Sequence, residues 1–391
     1  MNNSSKIDEI ISRTTVEIIQ PKGFLSKLKS GKKLRVKLGI DPTSSNIHLG
    51  RAVVLWKLRA FHELGHQVVL IIGDFTGQIG DTSDKEAERP MLSEKQIKEN
   101  IKTYLAQAYK ILDKKKTEVH YNSKWLKKLN FSEIGFLADL FGLNEFSSRE
   151  NIAKRLKAGK RVSVRELLYP LMQGYDSVMV KSDIELGGSD QKFNLLAGRT
   201  IQIAYKQSPQ DVLMVELLEG TDGRKMSSSW GNTINIFDTP DDMFGKLMSI
   251  NDSLIEKYFV FATNLPVTEI KKLLKSNPHP RDQKIKLAET VVGIYHDKKS
   301  ASLAKQKFIS QFSNKELPSE VPTIKMKAGS YQLSDILVMT GLASSKSEAR
   351  RLIEQNGVKV NQQNPKSLKI TIKLKNNLVL QVGKRKFVKI Q

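Results

Sequence analysis

The stretch from residue 34 to residue 75 leaves little choice of architecture. Residues 34–40, LRVKLGI, have β character, and residues 67–75, QVVLIIGDF, hold an apolar run of the kind buried on both faces of a sheet. Between them Ile47, Gly50, Val54, Leu58 and Phe61 recur at helical spacing, and Gly65 supplies a stop. Strand, helix and strand in that order predict a parallel βαβ unit and therefore a layered α/β domain.

At 391 residues the chain is long enough for two or three domains. Lysine-rich amphipathic patterns from about 93 to 160 read as a helical insertion, and a second α/β stretch over roughly 165–236 completes a first, Rossmann-like domain spanning 1–236. After FDTPDD (237–242) the pattern is helical to about 313, which gives a second, α-helical domain over 237–318. SNKELPSEVPTIKMKAGS then reads as a linker to a small α+β domain over 328–391. In that last part Ser345 and Glu348 match a capping box, Asn356-Gly357 ends the helix, and VKVN begins a strand.

Lys and Arg number 64 against 41 Asp and Glu, a formal charge of +23 that favours a polyanionic partner. A generally lysine-rich composition accounts for the total but not for its placement. From Lys325 onward there are 14 basic and 3 acidic residues, with Arg350 and Arg351 on the helix, which reads as an RNA-binding module. No apolar run approaches the ~20 residues that span a bilayer, so no membrane partner is expected. With no cysteine there is neither a disulfide nor a thiolate metal site, and MNNSSKIDEI has no signal-peptide pattern; a cytoplasmic location is expected.

The phrase IDPTSSNIHLGR (40–51) sits where a parallel strand ends and a helix starts, a place where free backbone N–H groups and the helix dipole attract anions. Asp41-Pro42-Thr43 makes the turn, Ser44, Ser45 or Asn46 can cap the helix, and His48 falls in its first turn. Gly50 adds no side chain to obstruct a base or ribose. Read alone, His48 serves equally as a cap on a surface helix. Far downstream, DGRKMSSSWGN (222–232) places Lys225, a compact charge suited to polyphosphate, before three hydroxyls. In YPLMQGYD, Tyr169, Gln173 and Asp176 share one helical face, which implies a polar pocket; Pro170 requires that helix to begin nearby or to kink. IELGGSDQ then offers a strand ending at Gly187-Gly188, a Ser189 cap, and Asp190 with Gln191 at a helix start, where a carboxylate can accept from a ribose hydroxyl.

In this order the pieces resemble the class I aminoacyl-tRNA synthetases, and within them the bacterial enzymes for tyrosine. HLGR looks like the HIGH signature and KMSSS like the KMSKS loop, while YPLMQGYD with GGSDQ is similar to the tyrosine pocket. YQLSDILVMTGLASSKSEARRLIEQNGVKVN resembles the RNA-binding domain first known from a small-subunit ribosomal protein. The resemblance implies a catalytic first domain, an anticodon-binding second and an RNA-binding third that includes Arg350 and Arg351. It implies that Asp176 accepts from the substrate phenol, that Tyr169, Gln173 and Asp81 surround the ammonium group, and that Gln191 lies near the carboxylate. Gly50, Gly188 and Asp190 would hold adenosine, Thr43 and His48 would meet the ATP phosphates, and Lys85, Arg89 and Lys225 would reach the departing pyrophosphate.

Three positions depart from the pattern: Arg51 replaces the second histidine of HIGH, Ser228 replaces the second lysine of KMSKS, and Lys37 stands where the family has a phenol-contacting tyrosine. Arg51 or Arg224 is expected to restore the missing charge. The implied activity is tyrosine–tRNA ligation, using tRNA(Tyr), L-tyrosine, ATP, and Mg²⁺ that arrives with ATP rather than at a dedicated protein site, by a homodimer joined through the helical insertion. A tryptophan-specific relative and an inactive synthetase-like RNA-binding protein are the rival readings.

Overall fold

The computed structural model describes residues 3–81, 91–313, 321–327, 329–361, 363–365, 369–372, 378–383 and 386–390. Six strands form the main sheet: β1 (Thr15–Ile19), β2 (Arg35–Ile40), β3 (Gln67–Ile72), β4 (Thr117–Tyr121), β5 (Ile184–Gly188) and β6 (Asp211–Val215), in the order β1-β6-β5-β2-β3-β4. β2 pairs in parallel with β3 from Arg35↔Gln67 to Ile40↔Ile72, and the other neighbours are parallel except β1, which runs antiparallel along β6. Val68 to Ile72 are fully buried, as a run without polar alternation requires when helices cover both faces.

The expected βαβ unit is present, its helix spanning Leu49–Glu63 and Gly65 following at φ +93°. From β2 the chain winds outward to β3 and β4, then returns to the other side of β2 as β5. The carboxyl ends of β2 and β5 are therefore a topological switch point, where open α/β sheets hold ligands.

One expectation fails in the stretch 93–160. It holds a helix, Glu94–Ala108, but also β4, so it is partly sheet and not a wholly helical insertion. TEVHY is a half-buried edge strand amid lysines, and its short alternation is lost against the helical patterns on either side.

The helix Val164–Val180 carries the YPLMQGYD face and crosses the helix Lys192–Ala204 at two glycines. A Cβ on Gly174 would stand 2.6 Å from Ile201 Cδ1 and 3.1 Å from Gly198 N, and one on Gly198 would stand 3.0 Å from Ser177 Oγ, so a larger residue at either position would push the helices' neighbours aside. Pro170 lies inside the helix, which continues through it at the expense of one backbone hydrogen bond. Ser163 and Glu166 close its amino end in a capping box, with Glu166 also held by the buried Arg155 at 2.5 Å.

Helices Pro240–Met248, Ile255–Ala262, Val267–Ser276, Pro280–Tyr295 and Lys298–Ser313 follow. The chain divides into two compact units, Met1–Lys305 and Gln306–Gln391. The second has its own core around Leu333, Ile336, Leu337, Ala349, Val358 and Leu380. Its four-stranded sheet contains β7 (Thr323–Ile324); β8 (Gly329–Gln332) and β10 (Lys369–Ile372) pair with each other, and β9 (Val358–Val360), β11 (Leu378–Val382) and β12 (Lys386–Ile390) complete the larger sheet. The stretch read as linker thus supplies a strand, β7, parallel to β12. The capping motif is also displaced by one: Ser345 Oγ accepts from Glu348 N at 3.2 Å, but the Glu348 carboxylate takes the N–H of Ser344 at 2.6 Å.

Candidate active site

His48 is the N-cap of the helix Leu49–Glu63 rather than a member of its first turn, and its Nδ1 accepts from Arg51 N at 3.3 Å. The preceding turn is unavailable for capping because the helix Glu94–Ala108 pins it. Gln107 accepts from Ile47 N at 2.7 Å and donates to Ser45 O at 2.7 Å, while Asn100 donates to Pro42 O at 2.8 Å. On the other side Leu49 N donates to Ile234 O and Ile236 N to Ile47 O, so the motif is zipped between two segments. With Nδ1 accepting, the neutral ring carries its proton on Nε2. It stays neutral: burial first, then the charges of Arg51 and Lys225, lower its pKa to about 3.

The two remote motifs touch. Gly50 N lies 3.3 Å from Met226 Sδ, and a Cβ on Gly50 would meet His48 Nδ1 at 3.1 Å and Met226 Cβ at 3.4 Å. Lys225 pairs with Asp190 at 2.8 Å at the end of β5. Asn232, unnoticed in the sequence, organises the loop: buried, it accepts from Ser227 N at 2.8 Å and donates to Asp222 at 2.7 Å and to Lys225 O at 3.1 Å. Ser228 is exposed at the start of a short 3-10 turn.

Arg51 and Arg224 separate clearly. Arg51 reaches Thr43 Oγ1 and Tyr104 Oη, both at 3.3 Å, beside His48. Arg224 is exposed, paired with Asp222 at 2.6 Å and laid over the Trp230 ring at 4.8 Å.

Next to this cleft lies an acidic pocket. Tyr169 donates to Asp41 Oδ2 at 2.8 Å, Thr76 donates to Asp41 Oδ1 at 2.7 Å, and Asp81 accepts from Gln191 at 3.5 Å and Asn194 at 3.3 Å. Burial, then Asp41, Asp81 and Asp176, hold the Tyr169 hydroxyl well above its usual pKa, so three carboxylates converge on one phenol. Asn194 Oδ1 is buried without a hydrogen-bond partner among the described residues. Asp176 accepts from Trp125 Nε1 at 2.7 Å and Asn122 Nδ2 at 3.2 Å, and burial pushes its pKa up to about 7. Asp41, Asn122, Trp125 and Asn194 are thus site residues that the sequence reading passed over. The DPT turn was a signal for the first; the other three carried none.

Gln173 shares the helical face of Tyr169 and Asp176, but its amide is turned to Glu185 at 3.0 Å. Lys37, fully buried, pairs with Glu185 at 2.9 Å and donates to Gln173 O and Ser177 Oγ. Asp176 feels both partners, the Lys37 charge more strongly than that of Glu185. Ser189 makes no cap; it begins the 3-10 turn Ser189–Gln191, and Gly188 packs against the Asp190 carboxylate. Arg350 and Arg351 are exposed on the helix Lys346–Glu354 of the second unit. Lys85 and Arg89 lie outside the described residues.

Comparison with known proteins agrees with this geometry. Residues 29–313 match the model of tRNA synthetases class I (W and Y), and residues 314–390 that of the tyrosine–tRNA ligase SYY-like C-terminal domain. The tyrosine–tRNA ligase of Thermotoga maritima is 46% identical over 98% of this chain and 96% of its own, and that of Carboxydothermus hydrogenoformans 47% over 98% and 97%. In fold alone, the chain resembles the tyrosyl-tRNA synthetase of Archaeoglobus fulgidus complexed with L-tyrosine, at a TM-score of 0.62 and 21% identity over 78% of this chain and 100% of that one. It likewise resembles a C-terminally truncated mitochondrial tyrosyl-tRNA synthetase of Aspergillus nidulans, at 0.66 and 19% over 79% and 94%. The chain belongs to the class I tRNA synthetases of the tryptophan and tyrosine group, and within that group to the tyrosine–tRNA ligases.

Proposed function

We propose that this chain activates L-tyrosine with ATP and transfers it to the 3′ end of tRNA(Tyr). The observation that carries the reading is the contact between the His48–Arg51 and Lys225–Ser228 segments beside a buried, carboxylate-lined pocket. A substrate carboxylate is already ionised at neutral pH, so its attack on the ATP α-phosphate requires no general base. Alignment and stabilisation of charge on the phosphates suffice. Neutral His48 donates through Nε2, Thr43 and Arg51 line the same turn, and Lys225 exchanges Asp190 for a phosphate oxygen. Lys85 and Arg89 are assigned to the pyrophosphate by family resemblance, and Mg²⁺ accompanies the ATP phosphates.

Asp41, Asp81 and the orphan Asn194 Oδ1 make a set of acceptors suited to an ammonium group, with Tyr169 held between them. Asp190, released by Lys225, takes the ribose, with Gly50 and Gly188 leaving room for adenosine. Gln191 lies by the substrate carboxylate. Gln173 acts from below, tying the pocket helix to Glu185. Asp176 receives the phenol hydrogen bond, oriented by Trp125 and Asn122, and Lys37 supports it by charge in place of a second phenol contact. Rejecting phenylalanine by leaving a buried polar group unpaired is a general device, for which tyrosine-specific ligases are the standard worked case at roughly 10⁴ to 10⁵-fold.

The helical part of the first unit is assigned to the anticodon and the basic second unit, with Arg350 and Arg351, to RNA. The exposed Phe131, Leu143 and Val164 are assigned to contact with a second copy. Steady-state kinetics of Asp176→Ala test the central assignment. The discrimination ratio of tyrosine over phenylalanine falls at least a hundredfold while the KM for ATP changes little; parallel loss for both substrates contradicts it.

A further inference from the structure

At the other end of the parallel sheet, about 20 Å from the reaction centre along strands of six residues, the amino ends of β2, β3 and β4 lie side by side. The loops entering them bring Lys33, His66, Lys115 and Lys116 to the lining of one open cleft of about 500 Å³, where His62 from the helix Leu49–Glu63 and Glu118 from β4 join them. Glu118 is the one carboxylate in that lining, and its charge is spent. Arg35 holds both its oxygens at 2.8 and 3.0 Å, His120 lies at 2.6 Å, and its pKa is lowered to about 2.

Among the described residues, none of Lys33, Lys115 and Lys116 pairs with a carboxylate, and all three are exposed. His66, by contrast, is 7% exposed and fixed: its Nδ1 accepts from Leu34 N at 3.4 Å, so the neutral ring bears its proton on Nε2, which has no partner among the described residues. Three flexible cations over a rigid, buried donor are a poor arrangement for a lone solvated face. They are a good one for an anion with several charged oxygens. Lys33 precedes β2, and Lys115 and Lys116 precede β4; with β3 between those strands, ~4.8 Å spacing sets their anchors about 10 Å apart, longer than a single phosphate.

We propose that this cleft binds a short run of phosphates, borne either by an RNA backbone or by a free oligophosphate, independently of the reaction centre. Lysine-acylation footprinting of the full-length protein, read by mass spectrometry, tests it with two probes: inorganic tripolyphosphate and a short unstructured RNA. The expected result is at least threefold slower acylation of Lys33, Lys115 and Lys116 relative to the exposed Lys272. Protection by tripolyphosphate assigns the cleft to free oligophosphates, and protection by RNA alone assigns it to a backbone. In the second arm the triple variant Lys33→Ala, Lys115→Ala, Lys116→Ala reduces the salt slope of binding of the protecting probe by about 2 to 3, as loss of that many phosphate contacts requires, and leaves amino-acid activation intact. No protection by either probe, or an unchanged slope in the triple variant, overturns the proposal.

Discussion

His48 carries two demands that only a buried imidazole meets together: its Nδ1 caps a helix, and its Nε2–H is left for the phosphate contact proposed for it. The capping bond and the neighbouring cations both require the ring to be neutral. In an unfolded chain it titrates near 6.5, in the folded chain at about 3. Between those values the unfolded state takes up a proton that the folded state refuses, so the contribution of His48 to stability is complete above pH 6.5 and lost as pH falls toward 3. His48→Asn, which keeps a capping acceptor, is therefore expected to lose roughly 2 kcal/mol less stability than the parent between pH 7.5 and pH 5. Urea unfolding at the two pH values checks this, and equal losses contradict it. The charge missing from the HIGH-like motif is a second question at this scale. Arg51 reaches Thr43 beside His48, whereas Arg224 is committed to Asp222 and Trp230. Arg51→Ala is expected to slow adenylate formation by about tenfold to a hundredfold, in the range of losing one charge-stabilising donor, and Arg224→Ala by less than about threefold. Pre-steady-state kinetics that rank them the other way would reverse the assignment. The residue types were legible because His-x-Gly and Lys-Met-Ser keep fixed spacing within one short stretch each. Trp125, Asn122 and Asn194 were not, because each joins the site through tertiary packing alone.

The segments that carry these residues are held at the switch point by polar ties, some from elements remote in sequence and some within one loop. Gln107 and Asn100 fix the turn before His48, and Asn232 gathers Ser227, Asp222 and Lys225 into one loop conformation. Removing the Asn232 side chain leaves three bonds unmade, each worth about 0.5–1.5 kcal/mol. Asn232→Ala is expected to lower the activation rate more than tenfold while tyrosine affinity stays within about twofold, as measured by stopped-flow and equilibrium dialysis. A matching loss of tyrosine affinity would mean that the substitution had disturbed the whole domain. The βαβ unit was readable because β3 is a pure apolar run and the helix before it keeps its period. β4 and β7 were not: one is a half-buried edge strand among lysines, the other two residues long and defined only by pairing with β12.

Over the whole molecule, charge and chemistry are divided between two compact units. The first contains the carboxylate pocket and the His48 and Lys225 segments, and the second carries about half of the net positive charge in under a quarter of the length. A chain ending near residue 313 is accordingly expected to retain tyrosine activation within about threefold and to lose tRNA charging by a hundredfold or more; equal retention of both would remove the second unit from tRNA binding. The proposed dimer belongs to the same scale: Phe131→Glu with Leu143→Glu, at two exposed apolar positions, is expected to shift the protein from dimer to monomer in sedimentation, and no shift contradicts their place in the contact. Everything at the three scales depends on one ATP lying across the His48 and Lys225 segments, with tyrosine beside it on Asp176. ATP–pyrophosphate exchange by the unaltered full-length chain, run in turn with tyrosine, phenylalanine and tryptophan, measures that most directly. Exchange supported by tyrosine and lower by at least a thousandfold with the other two is the predicted result; exchange with tryptophan in preference, or with none of the three, contradicts the account.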